Sequence, residues 1–283
     1  MPELPEVETI KRQLTQKVEG LVIKNILINK PKLFYGNPSD IIGKQITKIT
    51  RRAKIIVIDL SNKRHLLIHL KMTGQLIFVD ERGSFGGGHP IPPFNLAVPN
   101  KYSHIIIEFT NGSKLYFNDI RQFGWIKIVN SKELNTESEK FGPEPLGKDF
   151  TIEIFKDNLL RHKNKPIKPV LMDQSVVAGL GNIYAAEACF HARIRPDRKI
   201  STLSDKDFQN LFDAICEILP LAIKYQGVSA DDYVTLEGKT GDYYKKLLVY
   251  DREGEPCPAK CGGKIAKFKL AGRGTYWCPK CQH

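Results

Sequence analysis

The chain has 283 residues, 41% hydrophobic and 26% charged, enough for about two domains that each bury a core. No apolar run approaches the 18 or more residues of a membrane span, and the acidic start Met1-Pro2-Glu3-Leu4-Pro5-Glu6 lacks the apolar centre of a secretory signal; a cytoplasmic, nucleoid-associated protein is expected. Lys and Arg total 43 against 31 Asp and Glu, and the resulting formal charge of +12 favours a polyanionic partner, because each neutralised phosphate releases condensed counterions. On charge alone, a basic but unspecialised surface stays open.

The first predicted element is a helix over Glu6–Val18, where Val7, Ile10, Leu14 and Val18 recur at helical spacing. Pro2 and Pro5 are expected to keep the first residues out of it, leaving an extended, free N-terminus. Strand-like runs follow at Leu21–Ile28, Gln45–Arg51, Lys54–Leu60, Arg64–Leu70, Gln75–Val79, Tyr102–Phe109, Ser113–Phe117 and Trp125–Val129, with Asn111-Gly112 as a hairpin signal. Many short strands separated by turn residues predict a β-sandwich or barrel. The Gly- and Pro-rich stretch 82–100 interrupts them and reads as a mobile surface loop. Gly142-Pro143-Glu144-Pro145-Leu146-Gly147 marks a linker, after which Asp149–Arg161, Pro169–Val177, Asn182–Ala192 and Ser204–Tyr225 read as helices, Ser204 and Asp207 forming an N-cap signal for the last. The expected division is therefore a domain over 1–140, a linker over 141–149 and a second domain over 150–283 that includes a finger at 250–283.

Four groups of residues carry chemistry. Cys257-x3-Cys261 and Cys278-x2-Cys281 place two thiol pairs around two short strands, a spacing suited to one tetrahedral Zn²⁺; two disulfides are the alternative, disfavoured without a secretion signal. Lys260, Lys264, Lys267, Lys269 and Arg273 decorate this finger and suit phosphate contact. Cys189 and Cys216 stand apart and read as ordinary buried thiols. At the N-terminus, trimming of Met1 would expose Pro2 as a secondary amine, partly neutral near pH 7 and able to form an iminium at a sugar carbon, with Glu3 beside it to move protons. A Pro-rich start that merely precedes a helix is the bland alternative. In Asp173–Glu187, Gly179 and Gly181 form a tight turn and Asn182 opens a helix whose N-terminal amides suit a phosphate; Arg161, Lys163, Lys165 and Lys168 approach it, and a plain helix–turn–helix remains open. Lastly, Met72 in His69-Leu70-Lys71-Met72-Thr73-Gly74, and Arg121 with Phe123 in Arg121-Gln122-Phe123-Gly124, are candidate wedges for a base stack, or core residues if taken singly.

Together these motifs resemble the bacterial formamidopyrimidine-DNA glycosylase family nearly end to end: Pro2–Glu8, Arg52-Ala53-Lys54, His69–Gly74, Asn118–Gly124, Gly142–Leu146, Lys168–Glu187 and the finger. The resemblance implies an α+β protein, an N-terminal β-sandwich with a flanking helix followed by a helix–two-turn–helix domain with a C-terminal zinc finger, damaged double-stranded DNA lying between them. It implies Pro2 as the nucleophile at C1′, Glu3 as general acid/base, Lys54 as a phosphate contact assisting strand cleavage, and Arg273 in the second, δ elimination. Lys163, Lys168 and Asn182 match backbone-binding positions, and Met72, Arg121 and Phe123 match the residues that fill the vacated stack. One structural Zn²⁺, no redox cofactor and a monomer are expected.

Three features depart from the family pattern: the longer Cys257–Cys261 spacer, Tyr102 where many members carry a histidine, and the length of 82–100. The segments Gly227–Tyr233 and Gly238–Tyr244 resemble the lesion-capping loop of the purine-specific enzymes, favouring 8-oxoguanine and formamidopyrimidines over the oxidised pyrimidines of the endonuclease VIII type. A DNA-binding protein without catalysis would not need Pro2, Glu3, Lys54 and Arg273 together, and an RNA-binding zinc ribbon leaves the N-terminus unexplained.

Overall fold

The computed structural model describes residues 1–89, 97–228, 235–236 and 241–283. The chain forms two compact units, Met1–Glu139 with Tyr225–Tyr244, and Lys140–Lys224 with Lys245–His283.

The first unit opens with α1 (Leu4–Val18), whose Val7, Ile10, Leu14 and Val18 are buried at the spacing read from the sequence. The helix starts earlier than expected. Pro5 is accepted in its first turn, where an N–H would have had no helical acceptor. Pro2 is buried rather than free, while Met1 is exposed.

The strands β1 (Ile23–Ile28), β2 (Phe34–Tyr35), β3 (Ile46–Arg52), β4 (Ile55–Leu60), β5 (Arg64–His69), β6 (Gly74–Asp80), β7 (Gly83–Gly88), β8 (Ser103–Phe109), β9 (Lys114–Asp119) and β10 (Trp125–Asn130) follow. Among the described residues they make two five-stranded sheets, ordered β1-β8-β9-β6-β7 and β2-β10-β5-β4-β3. Alternation sends Ile56, Ile58, Leu66 and Ile68 of one sheet and Leu76, Phe78, Ile105, Ile107 and Phe117 of the other into a single core with α1, which makes the expected sandwich with its flanking helix.

β7 lies inside the stretch expected to be a loop. Its glycines allow close approach: a Cβ on Gly87 would stand 2.9 Å from the Leu236 nitrogen, so a side chain there would displace the backbone at Leu236. Residues 90–96 of that stretch, and most of the segment likened to a lesion-capping loop, lie outside the described residues. The unit also carries an unforeseen helix, α2 (Ser131–Glu139), which has no buried residue. Asn130 and Glu133 cap it reciprocally, at 2.9 and 2.8 Å.

In the second unit, α3 (Ile152–Leu160) is capped by Thr151. α4 (Ile167–Leu171) ends well short of Val177, because the Asp173 carboxylate accepts from the Ser175 amide and hydroxyl and draws the backbone into a turn. α5 (Asn182–His191) and α6 (Asp205–Lys224) follow; Ser204 and Asp207 bond each other's backbone amides at the start of α6. The chain closes with the hairpin β11 (Ala266–Leu270) and β12 (Arg273–Trp277). Among the described residues no helix is long and apolar enough to cross a membrane.

Candidate functional site

Glu3 is the N-cap of α1 and is 2% exposed; its amide donates to the Glu6 carboxylate at 2.8 Å in a capping box. The N-terminal residues are thus held by the helix they precede. In the same unit Lys54, 5% exposed, occupies the tight turn between β3 and β4, where Ala53 takes a φ of 51° and Arg51 donates to the Ala53 carbonyl at 2.8 Å. His69 closes β5, in register with Ile55 on one side and Trp125 on the other.

Burial, reinforced by the positive charges of Lys71 and Lys54, lowers the His69 pKa to about 3, so the imidazole is neutral at physiological pH. Its Nδ1 accepts from the Lys71 amide at 3.0 Å, which leaves Nε2 carrying the proton. A neutral N–H donor beside two cations suits an anionic ligand. In the sequence His69 is visible only as part of His69–Gly74; its tautomer depends on a turn that spacing does not reveal.

Met72, Arg121 and Phe123 come from two turns that one carboxylate pins together. Asp119, fully buried, accepts from the Thr73 hydroxyl, from the Arg121 amide at 3.1 Å and from the Gly124 amide at 2.7 Å. The Arg121 amide also donates to the Thr73 hydroxyl, at 3.0 Å. Gly124 has no room for a side chain, since a Cβ would lie 2.8 Å from the Phe117 ring and 2.9 Å from the His69 carbonyl. The turns leave Arg121 exposed, Phe123 54% exposed with the guanidinium 4.9 Å from its ring centre, and Met72 half-buried. A large apolar ring held out in solvent beside an arginine is poor packing and a suitable wedge.

The remaining residues lie in the second unit. Gln174 clamps the turn before α5, accepting from the Gly179 amide at 2.9 Å and donating to the Leu180 carbonyl at 2.7 Å, while Gly179 takes a φ of 89°. Asn182 then stands at the first position of α5. Lys163 is exposed on the turn after α3. Lys168 is 1% exposed, and its ammonium donates to Asn182 Oδ1 at 2.6 Å, Thr275 Oγ1 at 2.9 Å and the Gly274 carbonyl at 3.4 Å. Asn182 Nδ2 donates to the same Gly274 carbonyl at 3.2 Å. The structure therefore brings Lys168, Asn182 and the Arg273 hairpin together, with Lys168 beneath and Arg273 exposed beyond a turn in which Ala271 and Gly272 have φ of 46° and 77°.

Cys257, Cys261, Cys278 and Cys281 place their sulfur atoms within 4.8 Å of one another. The Cys257–Cys281 and Cys261–Cys278 separations of 3.8 and 3.5 Å are close to the edge of about 3.8 Å that a tetrahedron with Zn–S bonds of about 2.3 Å requires. The extra spacer residue is absorbed locally: Lys260 turns through a φ of 54° and its amide donates to the Cys257 carbonyl at 3.0 Å. Gly263 keeps the space beside the thiols open, a Cβ there falling 3.1 Å from Cys278 Sγ. Burial pushes the Cys278 thiol up, but the Lys280 and Cys281 amides and the neighbouring thiols outweigh it and bring the pKa down to about 7. Burial and neighbouring thiols push Cys281 up. Cys278 is thus readily supplied as a thiolate.

Three family models match the chain: the formamidopyrimidine-DNA glycosylase N-terminal domain over residues 1–126, the H2TH domain of the same glycosylase over 141–233, and a zinc finger found in FPG and IleRS over 254–283. The clustered thiols and the finger match together identify one structural zinc site. Among similar proteins, a formamidopyrimidine-DNA glycosylase of Heliobacterium modesticaldum is 39% identical, with all of both chains covered. One from Pelotomaculum thermopropionicum is 40% identical over 100% of this chain and 99% of its own. Among solved structures, a complex of the Lactococcus lactis Fpg with DNA containing an abasic site superposes with a TM-score of 0.86 at 33% identity, covering 99% of each chain. A MutM complex with DNA containing carbocyclic 8-oxo-G gives 0.87 at 34% identity over all of both chains.

Proposed function

Because the chain belongs to the formamidopyrimidine-DNA glycosylase family and so to the enzymes of base-excision repair of damaged DNA, we propose that it removes oxidised purines from duplex DNA, 8-oxoguanine and formamidopyrimidines, and then cleaves the strand as a lyase. The observation that carries the reading is the N-terminus: Pro2 and Glu3 are buried and held by the capping box of α1, while Met1 is exposed.

With Met1 removed, the Pro2 amine attacks C1′ of the damaged nucleotide. The glycosidic bond breaks, the base leaves with a proton, and Glu3 moves protons as the sugar ring opens to an iminium. The iminium is an electron sink that acidifies the adjacent sugar C–H, so the 3′ phosphate and then the 5′ phosphate leave by β and δ elimination. Lys54 contacts phosphate beside neutral His69 and assists strand cleavage, and Arg273 at the hairpin turn serves the second elimination. Asn182 and Lys163 bind backbone phosphates, and Lys168 supports Asn182 from below. A base must leave the stack to be reached, and Met72, Arg121 and Phe123 fill the space, Arg121 facing the orphaned partner base. No step is assigned to zinc, which holds the finger.

The test is borohydride trapping with N-terminally sequenced protein on an 8-oxoguanine duplex beside a dihydrouracil duplex. A covalent adduct on the first, lost in Pro2→Gly and in protein retaining Met1, is expected. An adduct mainly on the second moves the protein to the endonuclease VIII type. No adduct on either, with Met1 absent, overturns the catalytic reading.

A further inference from the structure

We propose that Glu6 is a positioning residue which ties the N-terminal nucleophile to the neck of the 225–244 segment; this rests on the reading of Pro2 above. Glu6 is 2% exposed, and its two carboxylate oxygens take different backbone donors. Oε2 accepts from the Glu3 amide at 2.8 Å, and Oε1 accepts from the Val228 amide at 2.8 Å. The Glu3 amide is the nitrogen of the Pro2–Glu3 peptide. Since that peptide is planar, the group that fixes the N–H also fixes the carbonyl end of Pro2 and the plane from which its ring nitrogen projects. Hydrogen bonds to a buried carboxylate are short and charge-assisted, so the coupling is stiff.

The neck is closed independently of Glu6. The Asp242 amide donates to the Tyr225 carbonyl at 2.9 Å, the Tyr243 amide donates to the Gly227 carbonyl at 3.1 Å, and Val228 bridges to Asp242. Gly227 has a φ of 84°, and a Cβ there would stand 2.6 Å from Glu6 Oε1. A side chain at that position is excluded both by conformation and by the carboxylate. Farther along α1, Gln13 Oε1 accepts from the Leu236 amide at 2.6 Å. The described neck, residues 225–228 with 241–244, is thereby bonded to the carboxylate that holds the Pro2–Glu3 peptide.

The experiment uses the full, zinc-loaded chain with Met1 removed, comparing wild type with Glu6→Gln, Gly227→Ala and the double variant. Glu6→Gln places an NH₂ where one backbone donor needs an oxygen, and Gly227→Ala presses on the same contact from the other side. Each is expected to slow single-turnover adduct formation about 10- to 100-fold, with DNA affinity within about twofold. The double variant should be no slower than the slower single one, because both break one contact. Adduct rates within about twofold of wild type, or defects that multiply, overturn the proposal. If Glu6→Gln does not fold, Gly227→Ala decides by the same rate and affinity. Wild-type protein that forms no adduct overturns the Pro2 reading instead. The coupling is then judged by hydrogen exchange at the Glu3 amide in Gly227→Ala: acceleration supports it, and an unchanged rate removes it.

Discussion

Asp119 is a buried carboxylate whose partners are all in two turns, and this explains why Arg121 and Phe123 can stand in solvent without losing their places. Replacing it with alanine strands the Thr73 hydroxyl and the Arg121 and Gly124 amides. Asp119→Ala is therefore expected to cost on the order of 3 kcal/mol in urea denaturation and to weaken lesion-DNA binding more than Phe123→Ala does. At His69 the environment decides the charge: burial first, then Lys71 and Lys54, hold its pKa at about 3, below the ordinary histidine value. The unfolded chain thus binds the proton more readily than the folded one. Stability contributed by neutral His69 is complete above about pH 6.5 and is lost as pH falls toward 3. In NMR titration its ring signals should stay unchanged between about pH 5 and 8, and a transition in that interval would contradict the buried, neutral ring. Neither role was legible in the sequence, although the residues lie in the motifs Asn118–Gly124 and His69–Gly74. Spacing marks a turn but does not say which carboxylate fastens it.

The turn before α5 and the finger hairpin are joined by Lys168. Its three ammonium hydrogens match the acceptors Asn182, Thr275 and Gly274, so the residue organises the two elements from inside. Lys168→Met keeps the bulk and leaves those acceptors without their charge, an expected loss of about 3 kcal/mol. A DNA-affinity defect as large as that of Asn182→Ala should accompany it; unaltered affinity would separate Lys168 from Asn182. Most elements were visible in the sequence because α1 buries apolar residues at helical spacing, while β4, β5 and β6 are short apolar runs buried over consecutive residues. α2 escaped because it buries nothing and leaves only its capping pair as a signal. β7 escaped because Gly86, Gly87 and Gly88 read as a loop until the neighbours that require their lack of side chains are known. The Cys257–Cys261 spacer is a converse case: its spacing departed from the family pattern, yet one left-handed residue, Lys260, restores the sulfur positions.

At the scale of the molecule, the finger depends on metal because its own apolar cluster is small and includes Cys257, Cys278 and Cys281. Chelation should unfold residues around β11 and β12 and reduce DNA affinity, while the separate sandwich core, built from α1 and both sheets, keeps its far-ultraviolet signal. Re-addition of Zn²⁺ should restore binding; full affinity in metal-free protein would contradict this. The charge of +12 adds a second expectation: DNA affinity should fall linearly on a log–log salt plot, with a slope near −0.9 per phosphate contacted.

The chain enters the sandwich unit twice, first as Met1–Glu139 and again as Tyr225–Tyr244. The two units are consequently not cassettes that recombination can exchange at a single crossover. A chimera joined near residue 140 would take α1 from one parent and the neck that rests on it from the other. Glu6, Gln13 and Gly87 would then meet partners they had not been selected with. Viable hybrids should need the 225–244 stretch to travel with the N-terminal half, and inheritance in this lineage should treat the two stretches as one linked character.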